Sequence, residues 1–195
     1  AYLENAAKLS GGIKLYNVPG NHDVQSVPTL ESMERYKKNF GKLYYSFEHK
    51  NSLFIVLESS SMKNPTEETA PLVSEQMRWL EQTLIDSEKK GYTHKFVFLH
   101  HPIILKDIDE QEEYFNLPVA VRNELLVLFQ AHNVKFVFSG HLHQDRVVKF
   151  KNVELVINGS CGIALADSSR GIRIVRVKGD DIQHYYSILS DQNLK

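Results

Sequence analysis

VKFVFSGHLH, residues 134–143, runs from an apolar stretch straight into a glycine and two histidines. A short apolar run bounded by a turn signal predicts a strand buried on both faces, the habit of parallel sheets covered by helices. KFVFLHHP (95–102) repeats the pattern upstream, and GIKLYNVPGNHD (12–23) begins with a third version of it, residues 13–18 alternating into a short apolar strand. Helical periodicity separates these runs. Residues 74–90 place Met77, Leu80, Leu84 and Ile85 on one face, with Ser74 as a candidate cap and Gly91 positioned to end the helix. Residues 119–132 form a second helix with Val121, Leu125, Leu128 and Phe129 inward, and residues 29–40 a third with Met33, Tyr36 and Phe40.

The remaining text reads as strands. LYYSFEH (43–49) and SLFIVLE (52–58) flank a turn at Lys50-Asn51, and from Arg146 onward only short strands follow: RVVKFK, VELVING, GIRIVRV and DIQHYYSIL. Strands alternating with helices and then running together predict an α/β fold, a layered mixed β-sheet flanked by helices with a β-rich end.

Bulk composition narrows the function classes. The 195 residues suit a single domain over 1–195, and 42% hydrophobic with 24% charged content is ordinary for a soluble protein. A formal net charge of −1 argues against a nucleic-acid partner, which requires a basic surplus. No apolar run has the length to span a bilayer, so no membrane partner is expected. The single cysteine, Cys161, excludes an internal disulfide and leans toward a reducing, cytoplasmic compartment; in NGSCG it reads as a small buried side chain. The opening AYLENAAKLSGG reads as the tail of an amphipathic helix closed by Gly11-Gly12, as if the chain began inside a longer sequence.

Chemistry gathers at the strand ends. Gly20-Asn21-His22-Asp23 follows the first apolar run, His100-His101-Pro102 the second and Gly140-His141-Leu142-His143 the third, so five of the nine histidines sit there. Ligands of open α/β sheets bind outside the carboxyl ends of the strands. Taken alone, each motif is served as well by a polar turn. Their equivalent placement points to a polar floor for a metal centre.

The order GNHD, HHP, GHLH resembles the later signature of the calcineurin-like metallophosphoesterases, whose full pattern runs D-x-H, G-D-x-x-D, G-N-H-D/E, H, G-H-x-H. The stretches PTLES, YYSF, LKDIDEQEEYFNL, FSGHLHQD and IQHYYSIL extend the similarity to the members assigned as serine/threonine phosphatases. The resemblance implies that Asn21, His100 and His141 bind one divalent ion and His143 a second, the ions being Mn, Fe or Zn. It also implies that His22 stabilises the transition state and protonates the leaving oxygen, with Asp23 orienting that imidazole. The expected reaction is metal-dependent hydrolysis of a phosphomonoester on phosphoserine or phosphothreonine, with phosphoproteins among the substrates. A phosphodiesterase or nucleotidase of the same family would use the same ligands, and an inactive scaffold relative is the alternative from another class.

Two motifs of the pattern are missing. No Asp stands two residues before a His, and the sole Gly-Asp, Gly179-Asp180, reads as a surface turn. The expected domain is therefore the C-terminal two-thirds of a phosphoesterase domain lacking its N-terminal strands. Of the remaining residues, His101 reads as a structural neighbour of a ligand and Asp107–Glu113 as a solvated loop continuing into aromatic anchors, Tyr114 and Phe115. Asn158 opens a glycosylation sequon behind a buried strand, and Trp79 reads as core.

Overall fold

A computed structural model of the chain describes residues 4, 5, 8, 12–165 and 168–189. Apart from residues 4, 5, 8 and 12, the opening helix expected from AYLENAAKLSGG lies outside the described residues. The first elements are a single helical turn, α1 (Asn21–Val24), and helix α2 (Leu30–Phe40). Then come β1 (Tyr45–His49), β2 (Ser52–Val56), the short α3 (Ser60–Lys63) and the long α4 (Ala70–Lys90). After β3 (His94–Phe98) follow α5 (Val119–Ala131), β4 (Phe136–Ser139), β5 (Arg146–Phe150) and β6 (Val153–Ile157). A hairpin of β7 (Gly171–Lys178) and β8 (Asp181–Ile188) closes the described chain.

Six strands form one mixed sheet in the order β1-β2-β3-β4-β6-β5. The four central strands, β2, β3, β4 and β6, run parallel, and the edge strands β1 and β5 pair antiparallel to their neighbours. The strand alternation assigns each residue to a face. Leu53, Ile55, Val97, Val137 and Leu155 meet Leu80 and Leu84 of α4 and Leu125 and Phe129 of α5 in the main core. Phe54, Phe96, Phe98, Phe136 and Phe138 point the other way. Their rings stack from strand to strand, Phe47 to Phe54 at 4.8 Å, Phe54 to Phe96 at 5.1 Å and Phe98 to Phe138 at 5.3 Å. On this second face the hairpin contributes Ile182 and His184, the imidazole standing edge-on to Phe136 and Phe138.

Several local expectations change. Residues 13–18 form no strand: Ile13 is 62% and Leu15 47% exposed, and the segment crosses the aromatic face with Tyr16 stacked on Phe47. Alternation alone does not make a strand without a neighbouring edge to supply hydrogen bonds. Helix α4 begins at Ala70 after Thr69, with Pro71 in its first turn, so Ser74 lies inside the helix and bonds back to the Ala70 carbonyl. Gly91 does end it, in the left-handed conformation at φ 67°. Ile85 is turned outward and Trp79 is half-buried against Tyr44. Gly179 forms part of the β7–β8 turn, as a surface turn should.

Cys161 is exposed rather than buried, because it lies in the loop beyond the buried strand β6 and before β7. Asn158 donates to the Ser139 carbonyl and accepts from Arg173, so its amide is committed to holding β4 to the hairpin. Among the described residues no helix is long and apolar enough to cross a membrane.

Candidate metal centre at the carboxyl edge of the sheet

The parallel strands β2, β3 and β4 end side by side, and each hands a polar segment to the same edge. β2 leads into Glu58-Ser59-Ser60, β3 into His100-His101 and β4 into Gly140-His141. The Gly140 N–H donates to the His100 carbonyl at 3.0 Å and the Leu99 N–H to the Phe138 carbonyl at 3.1 Å, so the ladder carries the register right up to the histidines. GHLH then projects two imidazoles because Leu142 between them is an anchor, buried against Leu105, Ile157 and Phe115. His141 and His143 both adopt positive φ, 62° and 57°, a conformation that non-glycine residues hold only where the surroundings impose it.

Asn21, His100 and His141 converge. The His100 Nε2 lies 2.8 Å from the Asn21 Oδ1 and 3.0 Å from the His141 Nδ1. Burial, followed by the charges of His141, His22 and His143, lowers His100 to about 3. His141 is shifted down as well, first by burial and then by neighbouring imidazoles and Lys63. Both rings are therefore neutral at pH 7. The His100 Nε2 then carries either one proton or one lone pair, so it cannot pair fully with both neighbours and one of the two close contacts is left unmatched. A divalent cation resolves that conflict, because two imidazole nitrogens and an amide oxygen are a donor set suited to borderline ions. On this ground the residues fit a metal.

His143 is placed further out, half-buried, with its Nδ1 2.9 Å from the Ile163 carbonyl, which leaves the Nε2 free. It does not join the tight group of three imidazoles, which His100, His101 and His141 form within 4.8 Å of one another. His22 sits exposed on α1, close enough for its charge to act on His100 and His141. Asp23, expected beside the His22 imidazole, instead accepts the Gly20 N–H at 2.9 Å and closes the α1 turn. Three residues of separation along the turn suit that backbone contact, whereas adjacent side chains on a helix point apart.

Gly20 is required by proximity. A Cβ there would stand 2.9 Å from His100 Nδ1. Its φ of −113° is open to any residue, so Gly20→Ala tests the contact without backbone strain. Free of the contact, the change would stabilise by about 0.4–1 kcal/mol. With it, a loss of about 1–3 kcal/mol in urea unfolding is expected, and an unchanged midpoint would mean that the His100 ring gives way. Gly140 is different, since a Cβ there meets nothing nearer than 4.0 Å.

The loop after β3 forms one wall. The Tyr114 ring lies 5.0 Å and the Phe115 ring 5.5 Å from that of His141, and Tyr114 is 61% exposed. The acidic segment does more than meet solvent. Glu110 turns inward, accepts the backbone N–H groups of Leu105, Lys106 and Asp107, and pairs with the fully buried Arg122. From the opposite side Lys63 donates to the Glu113 carbonyl at 2.6 Å. Sequence reasoning also passed over Glu58 and Ser59. The Glu58 carboxyl, raised by burial, accepts from the Ser61 N–H and hydroxyl, and Gln76 clasps its backbone from α4. Their position at the end of the strand 52–58, level with the other two motifs, was the available signal.

Known proteins share this framework. A family model described as calcineurin-like phosphoesterase matches residues 1–145. The serine/threonine-protein phosphatase CPPED1 of Rattus norvegicus is 37% identical over 177 residues, covering 90% of this chain and 56% of that protein. CPPED1 of Homo sapiens is 35% identical over 187 residues, 94% of this chain and 59% of that protein. The chain thus spans a little over half the length of these curated relatives. Among solved structures, a purple acid phosphatase from yellow lupin superposes with a TM-score of 0.54 at 16% identity, covering 77% of this chain and 31% of its own. A dimetal phosphatase from Danio rerio gives 0.53 at 14% identity, covering 80% and 63%. Those two likenesses concern the fold. The match over residues 1–145, together with the identity to CPPED1 over most of the chain, places this protein in the calcineurin-like phosphoesterase family.

Proposed function

We propose that the chain carries the C-terminal ligands of a dinuclear phosphoesterase centre and acts on phosphoserine or phosphothreonine. The observation that carries the reading is the convergence of Asn21 Oδ1, His100 Nε2 and His141 Nδ1. These three hold one divalent ion and His143 serves a second. When bound, such ions supply positive charge to a phosphoryl group and lower the pKa of water. The protein's own residues do the rest. His22, exposed at the rim, gives a proton to the departing alkoxide oxygen. Gly20 and the Asp23 carboxylate hold the turn that presents it. The Tyr114 and Phe115 rings stand against His141 on the side open to solvent, where the alcohol portion of a substrate would lie. What supports the monoester and protein specificity is the similarity to curated relatives that are named as serine/threonine-protein phosphatases.

The test is hydrolysis of a phosphoserine peptide and of an aryl phosphodiester at matched concentrations, with Mn²⁺ or Zn²⁺ added and with chelator. Phosphate release from the peptide, abolished by chelator and at least about tenfold faster than diester cleavage, is the expected result. A faster diester reaction would reassign the substrate class. Protein that binds metal yet turns over neither compound would be a scaffold.

A further inference from the structure

β2 delivers one side chain to the carboxyl edge that the proposed ligand set does not use. Ser59 is fully buried. Its Oγ lies 3.2 Å from the His100 backbone N, 3.0 Å from the His101 backbone N and 3.0 Å from His101 Nδ1. Both backbone groups are donors, so they occupy the two lone pairs of the hydroxyl oxygen. The hydroxyl proton is then directed to His101 Nδ1, which must accept it. A neutral imidazole carries one N–H, so the ring proton of His101 resides on Nε2.

The consequence concerns the three-histidine cluster. A ring nitrogen of His101 lies within 4.8 Å of those of His100 and His141, close enough to compete for the same cation. With Nδ1 engaged by Ser59 and Nε2 protonated, neither nitrogen offers a lone pair. We propose that Ser59 is a positioning residue of the centre. Its hydroxyl fixes His101 as the Nε2–H tautomer and anchors the His100 backbone, which leaves His100 and His141 as the coordinating imidazoles.

Ser59 is itself held on both sides. The Glu58 N–H donates to Gln76 Oε1 at 2.8 Å and the Gln76 amide returns to the Glu58 carbonyl at 2.9 Å. The Glu58 carboxyl accepts from the Ser60 N–H at 2.5 Å. The His101 ring in turn stands edge-on to His100 at 4.9 Å and lies 4.5 Å from His141, so its orientation is transmitted to both. Ligand orientation by hydrogen bonds of this kind is worth about 10- to 100-fold in metal affinity.

Long-range ¹H–¹⁵N correlation spectra of the histidine-labelled protein provide the test, recorded without metal and then with Zn²⁺. A bare Nδ1 and protonated Nε2 at His101 are expected in the metal-free protein, unchanged by Zn²⁺ while His100 and His141 shift. Ser59→Ala should give mixed tautomers at His101 and roughly 10- to 100-fold weaker Zn²⁺ binding by calorimetry, and Ser59→Thr, which keeps the hydroxyl, should restore the single tautomer. An Nδ1–H tautomer in the wild type, loss of the His101 Nε2 proton on adding Zn²⁺, or a wild-type tautomer in folded Ser59→Ala would each overturn the proposal. Should Ser59→Ala fail to fold, the wild-type spectra decide alone. Zn²⁺ binding rests on the metal reading of the site. If the wild type binds no Zn²⁺ yet shows the expected tautomer, the metal reading fails while the Ser59 assignment stands.

Discussion

His22→Ala is expected to lower turnover of a phosphomonoester by about 10²-fold or more while leaving metal content unchanged. The side chain is exposed on the short turn α1, directly after the ligand candidate Asn21, and its charge reaches both His100 and His141. It therefore overlooks the site without belonging to the tight imidazole group. An alkoxide is a poor leaving group, and a positioned acid that protonates it contributes about 10²–10⁴-fold. Because the group acts on the leaving oxygen, the loss should fall on kcat and should shrink for a phosphate ester whose alcohol is already acidic. Rates for p-nitrophenyl phosphate and an alkyl phosphate, taken with metal analysis of the same samples, separate the possibilities. A loss below about threefold in fully metallated protein would remove His22 from the reaction.

Metal-free protein is expected to lose stability steeply as pH falls below 6.5. His100 is lowered to about 3 and His101 to about 2, each chiefly by burial and then by neighbouring imidazoles. In the unfolded chain both titrate near the ordinary value of 6.5. Between these limits the unfolded state binds the extra protons, so unfolding becomes easier as pH drops. Stability is fully present above the unfolded value and is lost progressively toward the folded ones. Each imidazole contributes up to about 1.4 kcal/mol per pH unit once the pH is well below 6.5, so two of them give a loss of about 3 kcal/mol between pH 6.5 and 5. Set against a typical total of about 5–15 kcal/mol, that is enough to bring a marginal domain near its midpoint. Urea titrations at pH 7.5, 6 and 5 measure it directly. A midpoint independent of pH over that range would mean that these rings are solvated. Bound metal would steepen the dependence further, since protons and cations compete for the same nitrogens.

Some elements could be read from the chain because local pattern and tertiary outcome coincide. The buried strands 95–100 and 134–140 carry Phe at alternate positions on one side and aliphatic residues on the other, so either face of the sheet is satisfied by the same text. Residues 13–18 show the opposite case. Their alternation matches a strand, but they pair with no strand among the described residues and lie across the aromatic face instead. Ser74 had the chemistry of a cap and was passed over because the helix extends back to Ala70, with Pro71 in its first turn. The acidic run at 107–113 looked solvated because nothing local announces the buried Arg122 that draws Glu110 inward.

The site divides along the same line. Residue types in GNHD, HHP and GHLH suit the proposed holding of cations, and that chemistry is written in the residues themselves. Which atoms meet is not. That His100 joins Asn21 to His141 and that Ser59 takes hold of His101 depend on which segments meet at the carboxyl edge, with contacts spanning 79 residues of sequence for Asn21 and His100 and 42 for Ser59 and His101. Periodicity reports which side of an element is apolar. It carries no information about which strand lies next to which, and hydrogen bonds only a few ångströms long are decided by that neighbour.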